Sequence, residues 1–195
     1  WYTVQNFAAA RSNRGQVVMG SQEIPLMQFG AINTGRYQAG AVPQTTNMYS
    51  WPMNNYWTTN FNADQMGEIQ WSYFISSKAD ASNQYATRFA WENRIPFLTR
   101  VLPASHEAAA TLQSASMFGI FPDNLLLVNM KPVKGERAVM LQLREVNGES
   151  AEFKVESGKI KISRITECDV VGIPLKGTSS IQFAPWENKF VKLSW

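Results

Sequence analysis

The chain has 195 residues and a net charge of +3; 17% of its residues are charged and 45% are hydrophobic. This balance is typical of one or two globular domains and excludes a disordered tail. The basic residues are scattered, and no apolar run reaches the ~18 residues that a membrane helix needs. We therefore expect neither a nucleic-acid nor a membrane partner. The chain begins at Trp1, as an excised fragment would, and nothing in the sequence fixes the compartment.

Apolar residues recur mainly with a period of two, which predicts β-strands. The pattern is clearest in Gly67 to Ser77 and in Arg137 to Glu145, where Val139, Leu141 and Leu143 are predicted to share a buried face. Further strands are predicted at Gln16 to Gly20, Ile24 to Phe29, Pro96 to Leu102, Asn124 to Lys131, Ala151 to Glu156, Ile165 to Val171, Ser179 to Phe183 and Lys189 to Ser194. The lysines between Lys154 and Arg164 are expected on the solvated face of a strand.

One segment predicts a helix, Asn83 to Trp91, capped by Asp80 or Ser82 and bounded downstream by Pro96. In the last third, short strands alternate with turn signals at roughly ten-residue spacing, which indicates a sandwich. We predict an all-β fold of two sandwich-like units with one short helix. The first unit spans residues 1–103, an Ala-rich linker spans 104–114, and the second unit spans 115–195.

The residue types that usually carry catalysis are scarce. His106 is the only histidine and Cys168 the only cysteine, which makes a zinc site or a Ser-His-Asp triad improbable. Cys168 lies in an apolar run and is predicted to be buried. Carboxylates are available by type for a glycosidase pair, but nothing in the local sequence marks any of them. We predict no catalytic residue, metal site or cofactor in this chain.

Aromatic residues are densest between Met48 and Phe61, where they alternate with amides and hydroxyls. Such a stretch can stack on a sugar ring and hydrogen-bond its hydroxyls, or it can form a packed strand corner. We favour the packed corner, and both interpretations stay open. The candidate substrate-binding residues of this stretch are Trp51, Asn54, Asn55, Trp57 and Asn60.

The same stretch, SWPMNNYWTTNF followed by GEIQWSYFIS, resembles the NNxWxTN segment and following strand of the class II α-mannosidases, glycoside hydrolase family 38. GQVVMGSQEIPLMQFGAIN upstream, and NLLLVNMKP, AVMLQLREVNGESAEFKV, ITECDVVGIPL and FAPWENKFVKL downstream, resemble further family segments in the family's order. The resemblance covers nearly the whole chain. It implies the end of a large, supersandwich-like antiparallel β-sandwich, followed by a small C-terminal β-sandwich.

The resemblance also implies a function. The family's enzymes are retaining and zinc-dependent and hydrolyse terminal α-mannosides, and their zinc site lies in an N-terminal α/β barrel that this chain does not contain. The expected partners are that barrel, in the same polypeptide, and a mannose-containing glycan. Arg144 is a weak further sugar-binding candidate, because Glu145 and Val146 follow it where the family often has Tyr-Asn. Two alternatives are an independent carbohydrate-binding module and a purely structural scaffold.

Overall fold

The computed structural model describes residues 1–33, 36–53, 60, 62–100, 114–175 and 180–195. Within them the chain is mostly β, with several antiparallel sheets and one short helix, so the predicted fold class is confirmed. The chain divides into two compact units, Trp1–Phe97 (unit 1) and Leu98–Trp195 (unit 2). The predicted linker, residues 104–114, lies almost entirely outside the described residues, so its bounds stay a prediction.

Unit 1 combines short antiparallel strands with the helix. Its described elements are β1 (Tyr2–Thr3), β2 (Ala8–Ser12), β3 (Gly15–Ser21), β4 (Leu26–Phe29), β5 (Met48–Ser50), β6 (Tyr73–Lys78) and α1 (Asn83–Arg94). The strands form two three-stranded sheets, of order β2-β3-β6 and β1-β4-β5. In the first sheet, Val18 lies between Ala9 of β2 and Ser76 of β6.

Helix α1 covers one face of the β2-β3-β6 sheet. Ser82, one of the two predicted caps, is its N-cap, and the Ser82 hydroxyl accepts a hydrogen bond from the Tyr85 N–H at 3.1 Å. The buried Gln16 side chain donates to the carbonyls of Asp80 and Ser82, each at 2.8 Å, and so ties the cap to β3. Ala90 of the helix and Val18 of the sheet are both fully buried. The small Ala90 side chain lets the helix backbone approach the sheet closely.

Unit 2 is a small two-layer sandwich. Its described strands are β7 (Phe118–Phe121), β8 (Leu125–Pro132), β9 (Ala138–Glu145), β10 (Ala151–Glu152), β11 (Lys154–Ser157), β12 (Arg164–Cys168), β13 (Gln182–Phe183) and β14 (Asn188–Ser194). One layer is the four-stranded sheet β12-β14-β9-β8, and the pairs β11-β7 and β10-β13 lie across the core from it. The fully buried Leu141, Leu143 and Val191 of the first layer pack with Phe153 and Phe183 of the second.

The structure corrects several predicted strands. The strand predicted at Gly67 to Ser77 begins only at Tyr73, because β3 ends at Ser21, the partner of Tyr73. No strand is present over residues 96–100 of the segment predicted at Pro96 to Leu102, and the strand predicted to run to Val171 ends at Cys168. Phe153 separates the strand predicted at Ala151 to Glu156 into β10 and β11. Lys159 and Lys161 are exposed as expected, but β11 ends before them. The strands that sequence reasoning did not predict are β1, β2, β5 and β7.

Candidate functional site

The aromatic stretch is described only in part. Asn54, Asn55 and Trp57 lie outside the described residues, so their predicted sugar contacts stay predictions. Asn60 is exposed. Trp51 is half-buried and packs edge-to-face against Trp1, with ring centroids 4.5 Å apart. The Trp51 N–H also donates to the Leu26 carbonyl, which anchors the start of the stretch on β4. The described contacts of Trp51 are therefore those of a packing residue, while Trp1 leaves part of an indole exposed beside it.

Arg144, the other sugar-binding candidate, lies at the end of β9, far along the chain from Trp51. It is exposed, and its guanidinium makes no hydrogen bond or ion pair within the described part of the chain. Its partners in the neighbouring strands are Leu126 on β8 and Asn188 on β14, and Asn188 is also exposed. Within the described residues, Arg144 is therefore an exposed cation of unit 2, whereas Trp51 and Asn60 belong to unit 1.

The residue after Arg144 is a fully buried carboxylate. Oε1 of Glu145 accepts hydrogen bonds from the Asn124 side chain at 3.0 Å and the Asn147 N–H at 2.7 Å. Oε2 accepts from the Gly148 N–H at 2.8 Å and the Trp186 N–H at 2.9 Å. A buried charge is tolerated only when such partners replace water, and four of them do so here.

The pKa of Glu145 reflects the same balance. Burial opposes the charged form and would raise the pKa, but the backbone N–H groups of Trp186, Asn147 and Gly148 and the Asn124 amide outweigh it. The pKa of Glu145 is therefore below its ordinary value, and the side chain is a carboxylate at neutral pH. Because its hydrogen bonds go to the turn after β9 and to the segment before β14, Glu145 is a structural anchor and not a proton donor.

Trp186, whose backbone N–H donates to Glu145, has an unusual backbone conformation. Its φ of 64° is the only positive φ of a non-glycine residue in the described ranges, and such a backbone costs about 1–2 kcal/mol. The indole lies against Gly148, where a Cβ would be 2.6 Å from the ring atom Cζ2. Gly148 itself has a φ of 80°, so only glycine suits both the turn and the ring. Sequence reasoning missed Glu145 and Trp186; the one local signal was the turn pair Asn147-Gly148, which begins two residues after the strand-end glutamate.

The β2-β3-β6 sheet of unit 1 has an apolar face that α1 does not cover. Val17, Ile75 and Tyr73 alternate with residues that face the helix, and all three are exposed. The relative exposure of Ile75 is 65%. At the hairpin end, this face opens into a depression of about 550 Å³, lined in part by Ala10, Val17 and Ser77, which lie side by side across the three strands.

Unit 2 exposes a second apolar surface, the loop after β12. Val170, Val171 and Ile173 are all exposed there. The loop is held by Asp169, whose Oδ1 accepts the N–H groups of Val171 and Ile173 at 3.0 and 2.8 Å. Gly172, with a φ of 92°, donates to the Asp169 carbonyl and completes the turn. The aliphatic side chains are thus presented to solvent by a hydrogen-bonded loop.

Groups that could perform redox or metal chemistry do not gather in the part of the chain that the structure describes. No cluster of three or more His, Cys, Asp or Glu residues is found within the described ranges, so these residues do not fit a zinc ion. Cys168 is buried as predicted, and burial raises the pKa of its thiol, which disfavours the reactive thiolate. The predicted absence of a cofactor stays a prediction.

The comparisons with known proteins give no family. No protein-family model matches the chain, and no curated protein matches it significantly. The resemblance to glycoside hydrolase family 38 therefore rests on the motifs quoted above. Among the described residues, the one helix is α1, and its 12 residues are too few for a membrane span.

Proposed function

We propose that this chain is a non-catalytic β module that docks onto another part of its own polypeptide. The observation that carries this proposal is the uncovered apolar face of the β2-β3-β6 sheet. The motif resemblance supplies the proposed identity of the rest: the catalytic barrel of a retaining, zinc-dependent α-mannosidase that hydrolyses terminal α-mannosides. In this proposal the module supports the barrel and lines the outer part of the glycan cleft.

One face of the β2-β3-β6 sheet packs against α1, and the other is exposed to solvent. An antiparallel sheet with one solvated face usually places polar residues on that face. Here α1 packs on Val18, whereas the opposite face presents Val17, Ile75 and Tyr73 to solvent. Adjacent exposed apolar residues of this kind are typical of an interaction site. The aliphatic loop from Val170 to Ile173 gives unit 2 an apolar contact surface of its own.

A matched pair of isoleucines tests the docking. Ile75 lies on the apolar sheet face and Ile32 lies in a loop of the same unit, and their relative exposures are 65% and 66%. Ile75→Asp and Ile32→Asp would each be made in this chain and in the complete polypeptide that contains it. In this chain alone, thermal unfolding should show similar, small effects for both variants, because both side chains are largely in water.

In the complete polypeptide the two variants should differ. Ile75→Asp should lower the free energy of unfolding by about 1–2 kcal/mol more than Ile32→Asp. Docking would bury the part of the Ile75 side chain that is exposed in this chain, and the loss of that burial costs an energy of this order. A buried, unpaired carboxylate would add to the loss. Equal effects of the two variants in the complete polypeptide would show that the sheet face stays in water, and would overturn the docking.

A second candidate is an independent carbohydrate-binding module that uses the Trp51 to Asn60 stretch. The exposed part of Trp1 beside Trp51 favours it, since paired indoles suit sugar stacking. This function requires mannose or mannan binding by the chain alone, lost in Trp57→Ala without unfolding. If the stretch bound neither mannose nor mannan, this second candidate would be wrong, and the aromatic residues would have only a packing role.

A further inference from the structure

Trp186 is a half-exposed indole that the docking proposal does not use. It lies in the turn before β14, with 48% relative exposure, and Pro185 and Asn188 beside it are also exposed. We propose that the Trp186 indole is a stacking platform for a pyranose ring, which makes this corner of unit 2 a carbohydrate-binding subsite. The proposal does not depend on the identity of the parent enzyme or on the Trp51 to Asn60 stretch.

The first support is that the backbone and the ring of Trp186 each have a defined contact. The backbone N–H of Trp186 donates to the fully buried Glu145 carboxylate at 2.9 Å, and the ring lies against the backbone of Gly148. A strained backbone that surrounding contacts maintain is more common at ligand sites than elsewhere. A ring that is fixed before binding loses little conformational freedom when a ligand stacks on it, so even a weak contact contributes to affinity.

The second support is the polar character of the two chain segments that meet at Trp186 and Gly148. Exposed residues within two positions of them along the chain include Asn188 and Glu149, which carry hydrogen-bonding side chains. A pyranose ring presents C–H groups on one face and hydroxyls at its edge, so it needs one flat apolar surface with polar groups around it.

The surroundings of Trp186 differ from the other apolar surface of unit 2. The loop after β12 exposes Val170, Val171 and Ile173 together, as a protein-docking surface does. Trp186 instead presents one flat aromatic ring, which matches the C–H face of a pyranose. The two surfaces therefore favour different ligands, and the corner at Trp186 favours a sugar.

The test is a titration of the full chain followed by ¹⁵N–¹H correlation NMR of the indole N–H groups of its 7 tryptophans. The probes are methyl α-D-mannopyranoside, methyl β-D-glucopyranoside and methyl β-D-galactopyranoside, each to about 100 mM, because one stacked ring gives at best millimolar affinity. At least one sugar should shift the Trp186 signal in a saturable way.

Two variants accompany the titration. Trp186→Asn removes the ring, and asparagine tolerates the left-handed backbone, so the turn is retained. It should lower the affinity for that sugar by about tenfold or more. Val171→Asn removes an exposed aliphatic side chain elsewhere in unit 2 and should leave the affinity unchanged.

Two results would overturn the proposal. One is that none of the sugars moves the Trp186 signal. The other is that sugar shifts only other tryptophans and Trp186→Asn binds it as the wild type does, which would assign binding to the Trp51 to Asn60 stretch. If Trp186→Asn does not fold, the wild-type titration still decides, since it reads the Trp186 signal directly.

Discussion

Replacing Glu145 with glutamine should destabilise unit 2, because one carboxylate oxygen becomes an NH₂ group that faces hydrogen-bond donors. If the NH₂ takes the Oε2 position, the N–H groups of Gly148 and Trp186 both lose their acceptor. If it takes the Oε1 position, a flipped Asn124 side chain can accept from it, and only the Asn147 N–H is left without a partner. Each buried donor without a partner costs about 1–3 kcal/mol, so the expected loss is about 1–3 kcal/mol in the better orientation and about 2–6 in the other.

The same residue predicts the response of unit 2 to acid. Although burial opposes its charged form, hydrogen bonds lower the pKa of Glu145 in the folded chain below the ordinary value of 4.5. A group with a depressed folded pKa stabilises the fold above its unfolded pKa, and this contribution is lost as the pH falls through the folded pKa. Below pH 4.5 the wild type should therefore lose stability more steeply than Glu145→Gln, which has no proton to take up at this position.

Urea unfolding followed by tryptophan fluorescence measures both effects. Leu141→Ala, which truncates a fully buried core residue and should cost about 2–5 kcal/mol, identifies the transition of unit 2. Glu149→Gln, an exposed substitution near the same turn, is the control and should change stability by less than about 0.5 kcal/mol. The reasoning would be refuted if Glu145→Gln were as stable as Glu149→Gln at pH 7, or if it lost stability in acid as steeply as the wild type.

Two further substitutions test the local structure of each unit. Ser82→Ala removes the oxygen that accepts the Tyr85 N–H, and it should lower the free energy of unfolding of unit 1 by about 0.5–2 kcal/mol in urea titrations. An unchanged midpoint would mean that this cap contributes nothing. Gly148→Ala places a Cβ on a residue with a φ of 80° and 2.6 Å from the Trp186 ring. It should cost about 1–2 kcal/mol from the backbone alone and change the near-ultraviolet circular dichroism, and a wild-type spectrum at wild-type stability would contradict the packing of the indole on Gly148.

The elements that the sequence predicted well have strong local causes. In β9, Leu141 and Leu143 are fully buried as predicted, although Val139 is only half-buried and Met140 on the opposite face is buried too. For α1 the sequence predicted Asp80 or Ser82 as the cap, because both side chains carry an oxygen that can accept a helix N–H, and in the structure the Ser82 hydroxyl accepts from the Tyr85 N–H. Cys168 is buried as predicted, although Val170, Val171 and Ile173 of the same run are exposed.

The predictions that were wrong depended on partners far along the chain. Ile69 and Trp71 continue the alternation of β6, but β3 ends where it meets Tyr73, and pairing stops there. Phe97 belongs to an apolar run that predicted a strand, yet it is exposed and pairs with no described strand. Periodicity predicts which face a strand would bury, but the length of the neighbouring strand decides whether the strand forms.

The buried Glu145 could not be predicted for a related reason. Two of its four hydrogen-bond donors, Asn124 and Trp186, lie 21 and 41 positions away along the chain. A glutamate at the end of a strand is usually solvated, and only distant donors make its burial favourable. The proposed subsite at Trp186 depends on the same long-range contact with Glu145. The sequence alone therefore indicated the Trp51 to Asn60 stretch, where aromatic residues are close together along the chain, and not Trp186.

The most direct test of the proposed function is hydrolysis of an aryl α-mannoside with added zinc. The assay compares the purified chain with the complete polypeptide that contains it. The chain alone should show no turnover, while the complete polypeptide should hydrolyse the substrate with retention of configuration and lose activity when zinc is chelated. Turnover by the chain alone that is abolished by replacing one of its own carboxylates would contradict the claim that this module is non-catalytic.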